Sequence, residues 1–139
     1  MSEHKMPASG SFCWNELSTT DSDAAVRFYT GLLGWEVKKS QAMEACEGSD
    51  GPPVVYNEII AGGQHVGGIY KMGPEFGAAP SHWMAYVAVD DVDAKAAQVT
   101  ELGGKVCVPP TDIPNTGRFC VINDPTGATL SLITLKSPA

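Results

Sequence analysis

Residues 21–34 return seventy positions later as residues 91–104, with Asp21, Asp23, Ala24, Thr30, Leu32 and Gly34 matched by Asp91, Asp93, Ala94, Thr100, Leu102 and Gly104. An internal repeat constrains a fold more than any single propensity does, because one supersecondary unit has to work twice. The repeated window reads as a helix. Asp21 is its N-cap, Asp23 suits the positive end of the dipole, and Gly34 closes it. Between the caps, Ala25, Phe28, Tyr29, Leu32 and Leu33 make one apolar stripe at helical spacing. A strand precedes the helix at residues 12–17. Three follow it, one starting at Trp35, one at 54–60 and one at 65–70. The second half predicts a strand at 82–89, a helix at 92–102, a strand at 105–108 and a hairpin of 118–122 with 128–135. The turn Asp124-Pro125-Thr126-Gly127 has the proline and glycine positions of a type I turn.

The fold class is therefore α+β, a duplicated βαβββ unit. The first module covers residues 12–72 and the second 82–136, joined by a Gly/Pro/Ala linker at 73–81 and preceded by a flexible tail at 1–11. The 139 residues form one compact domain overall, within the usual range of roughly 100–150.

Charge and composition remove several function classes. A net charge of −7 repels phosphate backbones and anionic lipid surfaces, so no nucleic-acid or membrane partner is expected. The longest apolar run, 83–89, falls far short of the ~18–20 residues of a membrane span. No basic-then-apolar leader opens the chain. Cys13, Cys46, Cys107 and Cys120 are scattered, without a Cys-x-x-Cys pair, and read as reduced thiols of a cytoplasmic protein. Cys46 falls in the stretch 41–53, which reads as a flap. The glycines of 62–68 lack the Lys-Ser/Thr ending of a phosphate loop, so hairpin and close-packing roles explain them.

The motifs Trp14-x-Glu16-Leu17-x-x-x-Asp21 and Arg27-Phe28-Tyr29-x-x-Leu32-Leu33-Gly34-Trp35 resemble the opening of vicinal oxygen chelate proteins. That superfamily holds glyoxalase I, the bleomycin-resistance proteins and the extradiol dioxygenases. The stretch from Tyr86 to Asp93, Leu102-Gly103-Gly104 and Asp124-Pro125-x-Gly127 extend the resemblance over residues 12–135. It implies two modules whose mixed sheet curls into a cup with helices outside and a ligand in the hollow. In metal-using relatives, four inward residues on the first and last strand of each module chelate a divalent ion. Carried onto this chain, those positions are Trp14, Gly67, Met84 and Ser131. None offers the carboxylate or imidazole such a cation takes, so no metal and no cofactor is expected.

Strand alternation extends the inferred lining, because residues two apart share a face. Trp14 carries Phe12 and Glu16 with it, Met84 carries His82 and Tyr86, and Ser131 carries Thr129 and Ile133. The hairpin match makes His65 the partner of Thr129. On the strand 118–122, Phe119 and Val121 suit the helix side, which leaves Arg118, Cys120 and Ile122 inward. The candidate ligand-binding set is Trp14, Glu16, His65, His82, Met84, Tyr86, Arg118 and Ser131. Trp14 reads either as core or as a stacking surface, and Met84 as core filling. Glu16 reads either as half of an ion pair with Arg118 or as a general base or ligand anchor. A rearranged metal site from Glu16, His65 and His82 is the remaining metal option. The function this supports is a homodimeric protein that holds a small, partly aromatic organic molecule without metal. The alternatives are a lyase or isomerase related to lactoylglutathione lyase with Glu16 as base, and a regulatory protein-binding module. Metal-dependent dioxygenase chemistry is not expected.

Overall fold

The computed structural model describes residues 7–43, 54–74, 77–113 and 116–136. Cys46 and the part of the expected flap at 44–53 lie outside the described residues, and 41–43 belong to a strand. The order is β1 (Phe12–Thr19), α1 (Ser22–Leu33), β2 (Glu36–Met43), β3 (Val54–Ala61), β4 (Gln64–Lys71), then β5 (His82–Ala88), α2 (Val92–Val99), β6 (Lys105–Ile113), β7 (Gly117–Asn123) and β8 (Thr129–Leu135). The βαβββ order occurs twice. The chain divides into two compact units, residues 14–84 and residues 85–139 together with 1–13.

In the first unit the strands lie in the order β2-β3-β4-β1, with β1 parallel to β4 and the other neighbours antiparallel. Leu17, Ile59 and Ile69 are buried on the face that α1 covers, packed by Ala25, Val26, Tyr29 and Trp35. Alternation then assigns Trp14, Glu16 and Ser18 to the opposite face of β1. The second unit repeats the plan as β5-β8-β7-β6, with β5 parallel to β8. Its helix-side core joins Val92 of α2 to Cys120 and Leu132, with Val87, Ala96 and Ile122 around them. Gly10 and Ser11 are tied by backbone hydrogen bonds to Ala88, so these two residues of the expected tail are held in place.

The helix starts follow the repeat closely. Asp21 and Asp91 adopt the same extended backbone, and each accepts from the amide three residues on, Ala24 at 3.0 Å and Ala94 at 3.1 Å. The helix ends do not match. Gly34 takes a left-handed conformation and closes α1, whereas α2 stops at Val99, short of the expected Leu102. The Gly104 amide bonds back to the Val99 carbonyl and ends the helix early, leaving Leu102 exposed. The apolar stripe of α1 is also divided. Ala25 and Tyr29 face the sheet, but Phe28, Leu32 and Leu33 sit on an exposed flank. Among the described residues no helix is long and apolar enough to cross a membrane.

Candidate functional site

The face of the first unit turned away from α1 collects most of its chemistry-bearing side chains. Trp14 Nε1 donates to the Tyr56 hydroxyl at 2.8 Å, and that hydroxyl donates to Glu16 Oε2 at 2.9 Å. An indole N–H can only donate, so the single phenolic proton is directed at the carboxylate. Glu16 is 8% exposed, and Tyr56 equally so. Burial first, and then the negative charge of Glu16, push the Tyr56 phenol well above its ordinary value. It stays protonated and remains a donor. Tyr70 stacks on Tyr56 with ring centroids 6.4 Å apart and its hydroxyl oxygen accepts from the Ser18 hydroxyl at 2.7 Å. Glu58, two residues along β3 from Tyr56, shares its face and adds negative charge near the phenol. His65 Nδ1 lies 2.6 Å from Glu58 Oε2 near the turn of the β3–β4 hairpin, with half of the side chain in solvent.

The expected residues do not all come together. Trp14 and Glu16 come together on this face, and His65 stands at its edge beside Glu58. His82 is half-buried, its Nδ1 held at 2.8 Å from the Pro80 carbonyl. Met84 is half-buried on β5. Tyr86 and Ser131 are register partners, 8% and 0% exposed, on the face of the second unit away from α2. Arg118 is a correction. It does not point inward but toward α2, with its guanidinium clamping both Asp93 carboxylate oxygens at 2.9 and 3.1 Å and Asp112 at 3.0 Å. Cys120 and Ile122 follow it, because alternation puts all three on the side where Val92 and Ala96 form the core. The expected Glu16–Arg118 pair is thereby replaced, with Tyr56 hydrogen-bonded to Glu16 and Asp93 to Arg118.

A second correction is one of register. Glu16 pairs with Gly68, and Tyr86, its repeat counterpart, pairs with Ser131. The counterpart of Ser131 is therefore Gly68 rather than Gly67. The cause is a bulge between Ile59 and Ile60, where β4 spends one extra residue and shifts the frame by one. A side chain at 67 would point at the Asn15 carbonyl and Ile59, on the α1 side. On that side a hollow of about 290 Å³ is lined by Asn15, Trp35, Ile59, Val66, Gly67 and Trp83, with Trp35, Trp83 and Tyr29 in mutual ring contact.

Tyr56, Glu58 and Tyr70 were missed by sequence reasoning. A signal existed in the alternation Tyr56-Asn57-Glu58-Ile59-Ile60, but it names the inward set only once Ile59 is known to face the helix. Among the described residues no group of three or more His, Cys, Asp or Glu converges, so Glu16, His65 and His82 do not form a joint donor set.

A family model described as Glyoxalase/Bleomycin resistance protein/Dioxygenase superfamily matches residues 12–132. The chain belongs to this superfamily. Among the curated relatives of this superfamily member, "Putative glyoxylase CFP32" of Mycobacterium bovis is 40% identical over 124 residues, covering 89% of this chain and 44% of its own length. The anthracycline biosynthesis protein DnrV of Streptomyces peucetius is 30% identical over 137 residues, covering 90% and 47%. The chain thus spans about half the length of the curated relatives it matches. Among solved structures, the Bacillus halodurans C-125 protein BH1468 aligns with a TM-score of 0.64 at 14% identity, over 95% of this chain and 99% of that one. Methylmalonyl-CoA epimerase from Mycobacterium tuberculosis aligns with a TM-score of 0.60 at 16% identity, over 96% and 95%. These likenesses establish the glyoxalase fold for this superfamily member.

Proposed function

We propose that the face of the first module built around Trp14, Tyr56 and Glu16 binds a small, partly aromatic organic molecule without a metal ion. The observation that carries this reading is the hydrogen-bonded chain from Trp14 through Tyr56 to a carboxylate only 8% exposed. Burying an acid is costly, and a face with no role in recognition would be cheaper to fill with apolar side chains. Trp14, Tyr56 and Tyr70 supply aromatic surface, while Glu16 and Glu58 favour a neutral or cationic ligand with N–H or O–H donors over an anion. The relatives "Putative glyoxylase CFP32" and "Anthracycline biosynthesis protein DnrV" support a small organic ligand.

The metal-free part of the reading rests on donor chemistry. With the register corrected, the four positions used by chelating members are Trp14, Gly68, Met84 and Ser131. They offer an indole, no side chain, a thioether and a fully buried hydroxyl, a set that does not fit a divalent cation.

A second reading is a lyase or isomerase in which Glu16 is the base, favoured by the Tyr56 proton aimed at that carboxylate. Glu16→Gln separates the two, since a base is lost while a binding face of similar shape is kept. A homodimer in the cytoplasm belongs to the same proposal, supported by the exposed Phe28, Leu32 and Leu33 flank and by the free thiols Cys13, Cys107 and Cys120. Native mass spectrometry with metal analysis tests the whole reading. A dimer without stoichiometric metal that retains or captures an aromatic amine or alcohol is expected. Equimolar Zn, Ni, Mn or Fe that survives dialysis and is lost in Glu16→Ala overturns it.

A further inference from the structure

Tyr56 reaches Glu16 only because β4 has no side chain beneath its ring. A Cβ at position 68 would meet Tyr56 Cζ, the hydroxyl oxygen and Cε2, all well inside the 3.0 Å that real Cβ contacts respect. Gly68 is itself buried, and its register partner on β1 is Glu16. The carboxylate, the phenol and the empty position therefore stack across three adjacent strands, β1, β4 and β3. The phenol cannot retreat freely. Trp14 holds its oxygen from one side, and Tyr70 lies nearly parallel to its ring, at 21°.

We propose that Gly68 and Tyr56 form a positioning pair that holds the Glu16 carboxylate in the site, Gly68 by leaving the space that the ring occupies and Tyr56 by donating its only proton. This rests on the reading that the Glu16 face is the binding face, but it concerns groups that act through Glu16 rather than on a ligand. The hydrogen bond goes to the charged form of Glu16, so it favours the carboxylate over the acid. Its loss makes Glu16 harder to ionise. Among the described residues, the other titratable groups on this face of the unit are Glu58 on β3, Lys38 opposite it on β2, and His65 and Tyr70 on β4, and none of the variants below alters them.

The test is a pH titration followed by carbon-detected NMR on protein carrying ¹³C-labelled glutamate. The Glu16 carboxyl is assigned by its disappearance in Glu16→Gln. Tyr56→Phe keeps the ring and removes the donor, and is expected to raise the Glu16 midpoint by roughly one pH unit. Gly68→Ala is expected to raise it by a similar amount, because the displaced ring no longer reaches the carboxylate. The double variant should show no further rise, since both changes break the same bond. Gly31→Ala, on α1 with open space around its Cβ, should leave the midpoint unchanged. An unchanged midpoint in Tyr56→Phe, or two shifts that add in the double variant, overturns the proposal. If Gly68→Ala does not fold, Tyr56→Phe alone still decides. Titration of the wild type against tyramine keeps the two proposals apart. Absence of tyramine binding alongside the expected midpoint shifts would count against the binding reading and leave the positioning pair standing.

Discussion

In the first module, β1 presents Trp14, Glu16 and Ser18 on the face away from its helix, and a polar chain through Tyr56 and Tyr70 ties them together. In the second, β5 presents Met84, Tyr86 and Ala88 at the same repeat positions, beside a Ser131 hydroxyl that has no partner among the described residues. The backbones around these faces are alike. Both modules open on an Asp-capped helix, both pair their first strand parallel to their last, and both bury a helix-side core. What a duplicated unit keeps is the machinery of its own folding, while the face free of that duty is where the two copies have diverged.

The charged residues show the same division. Arg118 is used inside the second module to tie β7 to α2 and β6, through Asp93 and Asp112. Glu16 of the first accepts from the neutral Tyr56 phenol on the face away from its helix.

The symmetry of the cores is the first thing to break. Ile69→Ala and Leu132→Ala each truncate a buried side chain in corresponding cores, and each is expected to cost about 2–5 kcal/mol in chemical denaturation. A loss under about 1 kcal/mol for one of them would mean that the modules do not share the folding load. The asymmetry of the faces comes next. Trp14→Ala should weaken the best screened ligand about tenfold, or ~1.4 kcal/mol, in calorimetric titration. Arg118→Ala, altered on the α2 side, should leave affinity as it was; the comparison fails if Arg118→Ala is the more damaging. Asp21→Ala and Asp91→Ala sharpen the likeness instead, since nearly identical caps should cost nearly identical amounts, about 1 kcal/mol each by thermal unfolding.

The smallest expected effect is an acid response confined to one hairpin. Asp124 accepts from the Thr126 hydroxyl and amide and from the Ala128 amide, and these bonds hold its carboxyl below the usual range. Its contribution to stability is full above about pH 3.9, the unfolded value, and is lost as the pH falls through the lower folded value. Asp124→Asn should flatten that part of the stability curve. The corresponding turn of the first module, Ala61 to Gln64, has no carboxylate and nothing to titrate. An unchanged acid limb in Asp124→Asn would remove the turn from the account.

Much of this was legible without coordinates. The doubled βαβββ order, both helix caps and the proline turn follow from residues within a few positions of one another, and such signals act through local backbone geometry. The placement of Trp14 and Glu16 on one face was legible for the same reason, because alternation is a property of a single strand. Three features were not. Tyr56 meets Glu16 across forty residues of chain, the bulge at Ile59 moves the β4 frame by one, and Asp93 turns Arg118 and its strand face toward the helix. Each depends on which strand lies beside which and in what register, and that is set by the collective packing of the sheet against its helix rather than by any stretch of sequence alone. The sequence by itself determined the two modules and where their elements begin. Tertiary structure decided which side chains meet on the free face, because a one-residue slip in register exchanges every inward residue for its outward neighbour.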